Sequence, residues 1–284
     1  MKTWSTPVRD EKTAFISCCC GSFSFVPALE CDGFGYVRCE SCGLVQRNPQ
    51  PLKEEVTARY NDLSGKDYLS YELDNEAVFL NLQQLALKDA GFLEIEKNLL
   101  LREEKPSFLD IGCATGALLC WLRDRGWRVT GVDISPGAEY GRNSRSLDIR
   151  SLPIEKNNLS GSSFDIVHAS HLIEHLNDPR SFLEETNRIL KQNGYLFITT
   201  PNINGFQARF FKERWRSAIF DHLYLFSVRT LTVLLEKTGF KTEKVSTWGG
   251  MAIGLTPVWI KKIMDVLAKY FGFGDVMIIR AKKI

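Results

Sequence analysis

Charge of one sign is what this sequence lacks most: 36 Lys and Arg against 34 Asp and Glu in 284 residues leave a formal charge of +2. A surface so balanced has no overall field to gather nucleic acid or an anionic membrane, which argues against a nucleic-acid partner. No run approaches the roughly 20 uncharged apolar residues of a membrane span. Only peripheral contact with a bilayer is left open. The opening Met1-Lys2-Thr3-Trp4-Ser5-Thr6-Pro7 lacks the apolar stretch of a secretory signal, and the expected compartment is the cytoplasm. Internal repeats and low-complexity tracts are missing. So are the G-x-G-x-x-G turn of a dinucleotide site and the G-x-x-x-x-G-K-[ST] phosphate loop. What remains, 44% hydrophobic and 25% charged, is the composition of a globular protein.

Cysteine is present but unevenly placed. Six of the eight fall between Cys18 and Cys42, with Cys113 and Cys120 far downstream. In a reducing compartment such clustering points to metal more than to disulfides. Cys39-Glu40-Ser41-Cys42-Gly43-Leu44 is one half of a zinc knuckle, two thiolates across a tight turn. In the other half Ser17 stands where a C-x-x-C pair needs cysteine. Cys18 and Cys20 are the candidates, and Cys19 or Cys31 can substitute for one of them. Four thiolates from Cys18, Cys20, Cys39 and Cys42 make a structural zinc site, because no position is left open for substrate. Unmetallated thiols and a disulfide are the alternatives.

The chain divides into a Cys-rich module (1–52), a helical connector (53–105) and an α/β domain (106–284). In the connector Val56, Tyr60, Val78, Leu82, Leu85 and Leu93 mark the apolar positions. Beyond Pro106 strands alternate with helices: Ser107–Ile111, a helix over Ala117–Arg125, Arg128–Asp133, Phe164–Ala169. A helix N-capped by Asp178, with Pro179 first, is expected to stop at Gly194. Tyr195–Thr200, a helix over Val228–Lys237, Lys241–Trp248 and Asp275–Ala281 follow. The alternation predicts a doubly wound, mostly parallel sheet covered on both faces.

The sharpest local signal is Leu109-Asp110-Ile111-Gly112-Cys113-Ala114-Thr115-Gly116-Ala117: a buried strand, a turn with two glycines and an immediate helix. Gly112 admits a ligand where a Cβ would block it, and such crevices lie at strand C-termini. Asp133, 21 residues after Gly112, ends the next strand and can accept both hydroxyls of a ribose. Asp110 would repel a pyrophosphate and suits a cationic ligand. A nucleoside bearing a sulfonium and an ammonium fits best.

These segments, with Val132-Asp133-Ile134-Ser135, Phe164-Asp165-Ile166-Val167, Glu174-His175-Leu176, Ile198-Thr199-Thr200-Pro201-Asn202 and Asp221-His222-Leu223-Tyr224-Leu225-Phe226-Ser227 before Thr238-Gly239-Phe240, resemble class I S-adenosylmethionine-dependent methyltransferases of the ubiquinone-type, small-molecule subgroup. The resemblance covers about 106–250 in order. It implies a seven-stranded Rossmann-like sheet. It also implies that Asp110, Gly112, Cys113, Ala114 and Gly116 hold the methionine part of the donor, and Asp133 with Ile134 the ribose. Ser170 and His171 would line the sulfonium pocket. Arg38-Cys39…Cys42-Gly43-Leu44…Asn48-Pro49 resembles the zinc-ribbon-like module that precedes some of these domains.

Methyl transfer from a sulfonium is an in-line displacement that needs alignment and exclusion of water. A hydroxyl acceptor also loses a proton, and histidine is the usual agent near neutral pH. Of His168, His171, His175 and His222, the first sits inside a strand and reads as packed. His222 is the leading base candidate, with Asp221 either orienting it or solvated, and His175 beside Glu174 is the second. Phe206, Phe210, Phe211, Trp215 and Phe220 form an aromatic connection interleaved with Arg209, Lys212, Arg214 and Arg216. In the segment Pro257–Phe271, Trp259, Ile263, Val266 and Tyr270 share a face. That face is expected to pack on the sheet, with a membrane surface as the alternative. The expected activity is methylation of a small-molecule, saccharide or lipid-precursor hydroxyl. An RNA methyltransferase and a non-catalytic binding module are the rival readings.

Overall fold

The structure, a computed structural model, describes residues 12–56, 65–250 and 258–284. Tyr60 lies outside them. The N-terminal part is built from short strands: β1 (Thr13–Ala14), β2 (Phe25–Cys31), β3 (Phe34–Cys39), β4 (Val45–Arg47) and β5 (Gln50–Pro51). β2, β3 and β4 pair as antiparallel neighbours, and β1 pairs with β5.

Two helices follow, α1 (Gly65–Asp89) and α2 (Phe92–Leu100). Their apolar residues fall on more than one face. Ala86, Leu87, Ala90, Phe92, Ile95 and Leu99 are buried, whereas the expected stripe of Val78, Leu82, Leu85 and Leu93 faces solvent. Alanines at 86 and 90 let the end of α1 approach closely, so the sheet takes that face rather than the bulkier one.

The remaining elements are β6 (Ser107–Ile111), α3 (Ala117–Asp124), β7 (Arg128–Val132), α4 (Gly137–Arg145), β8 (Ile149–Arg150), β9 (Phe164–Ser170), α5 (Pro179–Ile189), β10 (Leu190–Pro201), α6 (Phe206–Phe211), β11 (Tyr224–Leu225), α7 (Val228–Lys237), β12 (Phe240–Trp248), α8 (Val258–Phe271) and β13 (Val276–Lys283). Seven strands form one sheet in the order β12-β13-β10-β9-β6-β7-β8. Only β13 runs against its neighbours. Alternate residues of each strand feed two cores, as the two-residue strand period requires. Leu109, Val167, Leu196 and Met277 pack with α5 and α7, while Phe108, Ile166, Phe197 and Ile278 pack with α1, α2 and α3. The fold is the expected seven-stranded α/β sheet.

Two local expectations change, and one pairing has no counterpart in the sequence reading. The helix begins as expected, with Asp178 Oδ1 accepting the Ser181 amide at 3.0 Å, but it ends at Ile189 rather than running to Gly194. Leu190 already pairs with Phe164, so the sheet ladder claims the residues before the glycine. On α8 the expected inner face is the outer one. Ala268 is fully buried and its carbonyl accepts from Thr247 Oγ1 at 2.6 Å, while Trp259 and Tyr270 are 65% and 82% exposed. The unforeseen strand β11 adds to the small sheet, in the order β11-β4-β3-β2. The N-terminal module and the connection after β10 are thus joined by backbone pairing.

Candidate functional site

The glycine turn leaves β6 with Gly112 at φ +78° and Gly116 at φ +80°, the left-handed region where a Cβ is disfavoured. A Cβ on Gly116 would also fall on Leu147 Cδ1. Asp133 clamps the turn from the next strand: Oδ2 accepts the Ala114 amide and Oδ1 the Ser135 amide, each at 2.7 Å. Burial pushes the Asp133 carboxyl above its ordinary value, against the bonds from Ser135 and Ala114, and nearby Asp110 adds to the rise. Asp110 is buried, with Oδ1 2.8 Å from His168 Nδ1. Its Oδ2, like Ser135 Oγ, has no hydrogen-bond partner among the described residues. Burial raises the Cys113 thiol strongly, helped by Asp133 and Asp110, so both carboxylates act on this one point.

Helix α1 reaches over this turn. Thr115 Oγ1 donates to Glu76 Oε2 at 2.7 Å, and Arg145 Nη2 donates to the same carboxylate at 2.6 Å. Ile134 follows Asp133 and is half-buried. Across the crevice, Ser170 ends β9 and His171 follows it at φ +51°, half-exposed. Asp110, Gly112, Cys113, Ala114, Gly116, Asp133, Ile134, Ser170 and His171 therefore lie at the C-terminal ends of the adjacent parallel strands β6, β7 and β9.

A buried carboxylate organises the far side. Glu174 faces His171 Nδ1 through Oε1 at 3.2 Å and accepts Thr200 Oγ1 through Oε2 at 2.9 Å. Burial alone would raise its pKa, but His171, His175 and His222 around it hold it down at about 2. The His175 and His222 rings meet edge to face, 4.7 Å between centroids. His175 Nδ1 donates to the Asp221 carbonyl at 3.0 Å and His222 Nδ1 to the Ser217 carbonyl at 2.8 Å. A carbonyl only accepts, so each Nδ1 carries a proton, and the atom of each ring that can take or release a further proton is Nε2. Burial, helped by His175, lowers His222 to about 3, against the pull of Glu174. The two candidate base residues are thus brought together, with the buried one held neutral. His168 is fully buried against Asp110, as its place inside a strand suggests. Trp215 and Phe220 are buried within the connection, whereas Phe210 is exposed.

The cysteine module presents one sulfur each from Cys18, Cys20, Cys39 and Cys42, all within 4.8 Å of one another. Cys18 Sγ lies 3.4 Å from Cys42 Sγ and Cys20 Sγ 3.6 Å from Cys39 Sγ. A tetrahedron of thiolates around zinc, with Zn–S of about 2.3 Å, sets neighbouring sulfurs about 3.8 Å apart, so the set fits that ion. Burial works against ionisation of Cys39. The Cys42 amide, Cys20 thiol, Ser41 amide and Cys18 thiol outweigh it and bring Cys39 down to about 6. Cys31 points elsewhere, its sulfur 3.9 Å from the Glu213 carbonyl.

A sequence model of the methyltransferase-domain family matches residues 83–245, more than half of the chain. The chain belongs to the methyltransferase family. The ubiquinone biosynthesis O-methyltransferase of Idiomarina loihiensis is 28% identical to this chain over 166 residues, 56% of this chain and 64% of that protein. The protein of the same name from Nitrosomonas europaea is 29% identical over 103 residues, covering 34% of this chain and 44% of its own. The chain thus spans less than two thirds of the length of these curated relatives. Among solved structures, a possible histamine N-methyltransferase from Thermotoga maritima is similar with a TM-score of 0.51 at 24% identity, covering 76% of this chain and 98% of its own. An S-adenosylmethionine-dependent methyltransferase from Archaeoglobus fulgidus is similar with a TM-score of 0.52 at 21% identity, covering 75% and 99%. At these identities the likeness is one of fold.

S-adenosylmethionine is the donor of this family, and the turn fits it. Gly112 holds the turn in the left-handed region, Asp133 offers a carboxylate at the end of β7, and Asp110 Oδ2 and Ser135 Oγ are buried polar atoms with no partner among the described residues. Glu174 has a signal in the sequence, a carboxylate one residue before a histidine just past a buried strand, but the motif alone assigns it no role. Glu76 and Arg145 gave no signal, since 69 residues separate them.

Proposed function

We propose that this methyltransferase moves a methyl group from S-adenosylmethionine to a hydroxyl of a small acceptor, held between the glycine turn and the Glu174 cluster. The observation that carries this reading is the pair of histidines that can take or release a proton at Nε2 beside a buried, ionised Glu174. Asp110, Gly112, Cys113, Ala114 and Gly116 hold the amino-acid end of the donor, Asp133 and Ile134 its ribose, and Ser170 and His171 border the methyl. The donor supplies an activated methyl on sulfur. The chain's own residues align the hydroxyl oxygen and take its proton as the C–O bond forms and the C–S bond breaks. His175, half-buried, receives that proton, and Glu174 stabilises the imidazolium. His222, kept neutral, orients the hydroxyl. The names of the relatives support an oxygen acceptor. In this reading the chain divides into a Cys-rich module of 1–52 whose four thiolates hold a structural zinc, a helical connector of 53–105, and a domain of 106–284 that carries the transfer.

The test is incubation with methyl-labelled donor and a panel of catechols, phenols, sugars and amines, with products resolved by mass spectrometry. Label on oxygen, lost in a His175→Ala variant that still binds donor, is expected. Label only on nitrogen, or label on oxygen undiminished by the substitution, contradicts the reading.

A further inference from the structure

The backbone that carries His222 is gripped from both sides. On the module side, the single proton of Tyr36 Oη is shared between the carbonyls of Ile219, at 2.8 Å, and His222, at 2.9 Å. Arg47 Nη1 donates to the Phe220 carbonyl at 3.0 Å, and its guanidinium lies 4.0 Å over the Phe220 ring. The Arg47 amide donates to the Leu223 carbonyl at 2.8 Å, just before β11 pairs with β4. On the site side, the Leu223 amide donates to the Glu174 carbonyl at 2.7 Å, and His175 Nδ1 donates to the Asp221 carbonyl. Carbonyls 219, 220, 222 and 223 thus turn to the module, while carbonyl 221 and amide 223 turn to the site. Residues 219–223 are a single strip of backbone between the two.

Tyr36 and Arg47 are both buried, and both are tied to the thiolate cluster by chain. Tyr36 lies three residues before Cys39 and Arg47 five after Cys42. Buried donors that meet backbone carbonyls leave a large desolvation cost if the strip moves away, so the arrangement is held in one geometry. The Tyr36 hydroxyl, the Arg47 guanidinium and the Gln50 side-chain amide all donate to backbone carbonyls of this strip, so the module holds its backbone and not the histidine side chains.

We propose that Tyr36 and Arg47 are positioning residues for the acceptor side of the site: they fix residues 219–223 and through them set the His222 and His175 rings. The inference rests on reading the histidine cluster as the acceptor side. It gives the cysteine module a role in the reaction without contact with any reacting atom.

The experiment compares the unsubstituted 284-residue chain with Tyr36→Phe and Arg47→Met by amide hydrogen exchange. The ring N–H resonance of His222, the zinc content and the calorimetric affinity for S-adenosylmethionine are measured on the same samples. Tyr36→Phe keeps the ring and loses the shared hydrogen bond, so exchange over 217–225 is expected to quicken about fivefold to tenfold. The His222 signal shifts or broadens, while zinc content and donor affinity stay unchanged. Unaltered exchange and an unaltered His222 signal overturn the proposal. Equal quickening in the donor turn, 110–116, also overturns it, because the effect is then global. Should Arg47→Met fail to fold, Tyr36→Phe alone decides. If the unsubstituted protein binds no S-adenosylmethionine, the methyltransferase reading fails on its own, and the exchange contrast still judges the positioning.

Discussion

His222 shows how burial decides a residue's chemistry. Its place after the aromatic connection was legible in the sequence, and so was its imidazole. Its solvation was not. Enclosed and bonded to the Ser217 carbonyl, it falls from an ordinary 6.5 to about 3. The folded state therefore disfavours the protonated ring. The stability this gives is complete above pH 6.5 and is lost as pH falls from there toward 3. Glu174, lowered from 4.5 to about 2, gives stability that is complete above pH 4.5 and lost only below it. The interval between pH 6.5 and 4.5 thus separates His222 from Glu174. Urea unfolding at pH 7 and pH 5 is expected to show a loss for the native protein that is smaller in His222→Gln, the difference bounded by about 1.4 kcal/mol per pH unit. Equal losses in the two proteins contradict the burial argument.

At the scale of elements, the sheet was legible where glycine, proline and apolar runs punctuate the chain: β6, β7, β9 and the N-cap of α5 fall where the sequence sets them. Amphipathic helices were harder, because two apolar stripes compete and only the partner surface chooses. On α8 the sheet receives Ala268 and leaves Val266 outside, 66% exposed. Val266→Lys is expected to leave the melting temperature within about a degree, since exposed substitutions stay within about 0.5 kcal/mol. Ala268→Lys buries a charge beside β12 and should lower the midpoint by several degrees, at a cost of several kcal/mol. Thermal melts followed by circular dichroism check both. A reversed order would return the sequence's first reading of this helix.

Across the whole molecule, the fold class and the placement of the glycine turn beside Asp133 were readable because both reside in short contiguous motifs. Asp110, Gly112, Gly116 and Asp133 come from two neighbouring strands and one turn. The cluster of Glu174 with His175 and His222 was only partly readable, since it is assembled from distant pieces. Glu174 meets His222 from 48 positions away, and Tyr36 meets the same strip from more than 180. Local spacing cannot encode such pairings, whereas a strand added across modules, β11 on β4, creates them. The same view explains why the cysteine cluster sits so far in sequence from the crevice yet shares its framework.

The central claim is that the glycine turn and its two carboxylates form a site for S-adenosylmethionine, and isothermal calorimetry tests it most directly. The account predicts measurable binding at micromolar to millimolar donor, weakened at least about tenfold in Asp133→Asn, the loss of roughly 1.4 kcal/mol that a charged hydrogen bond to the ribose represents. No heat of binding at millimolar donor, or an Asp133→Asn variant that binds as tightly as the native chain, would contradict it.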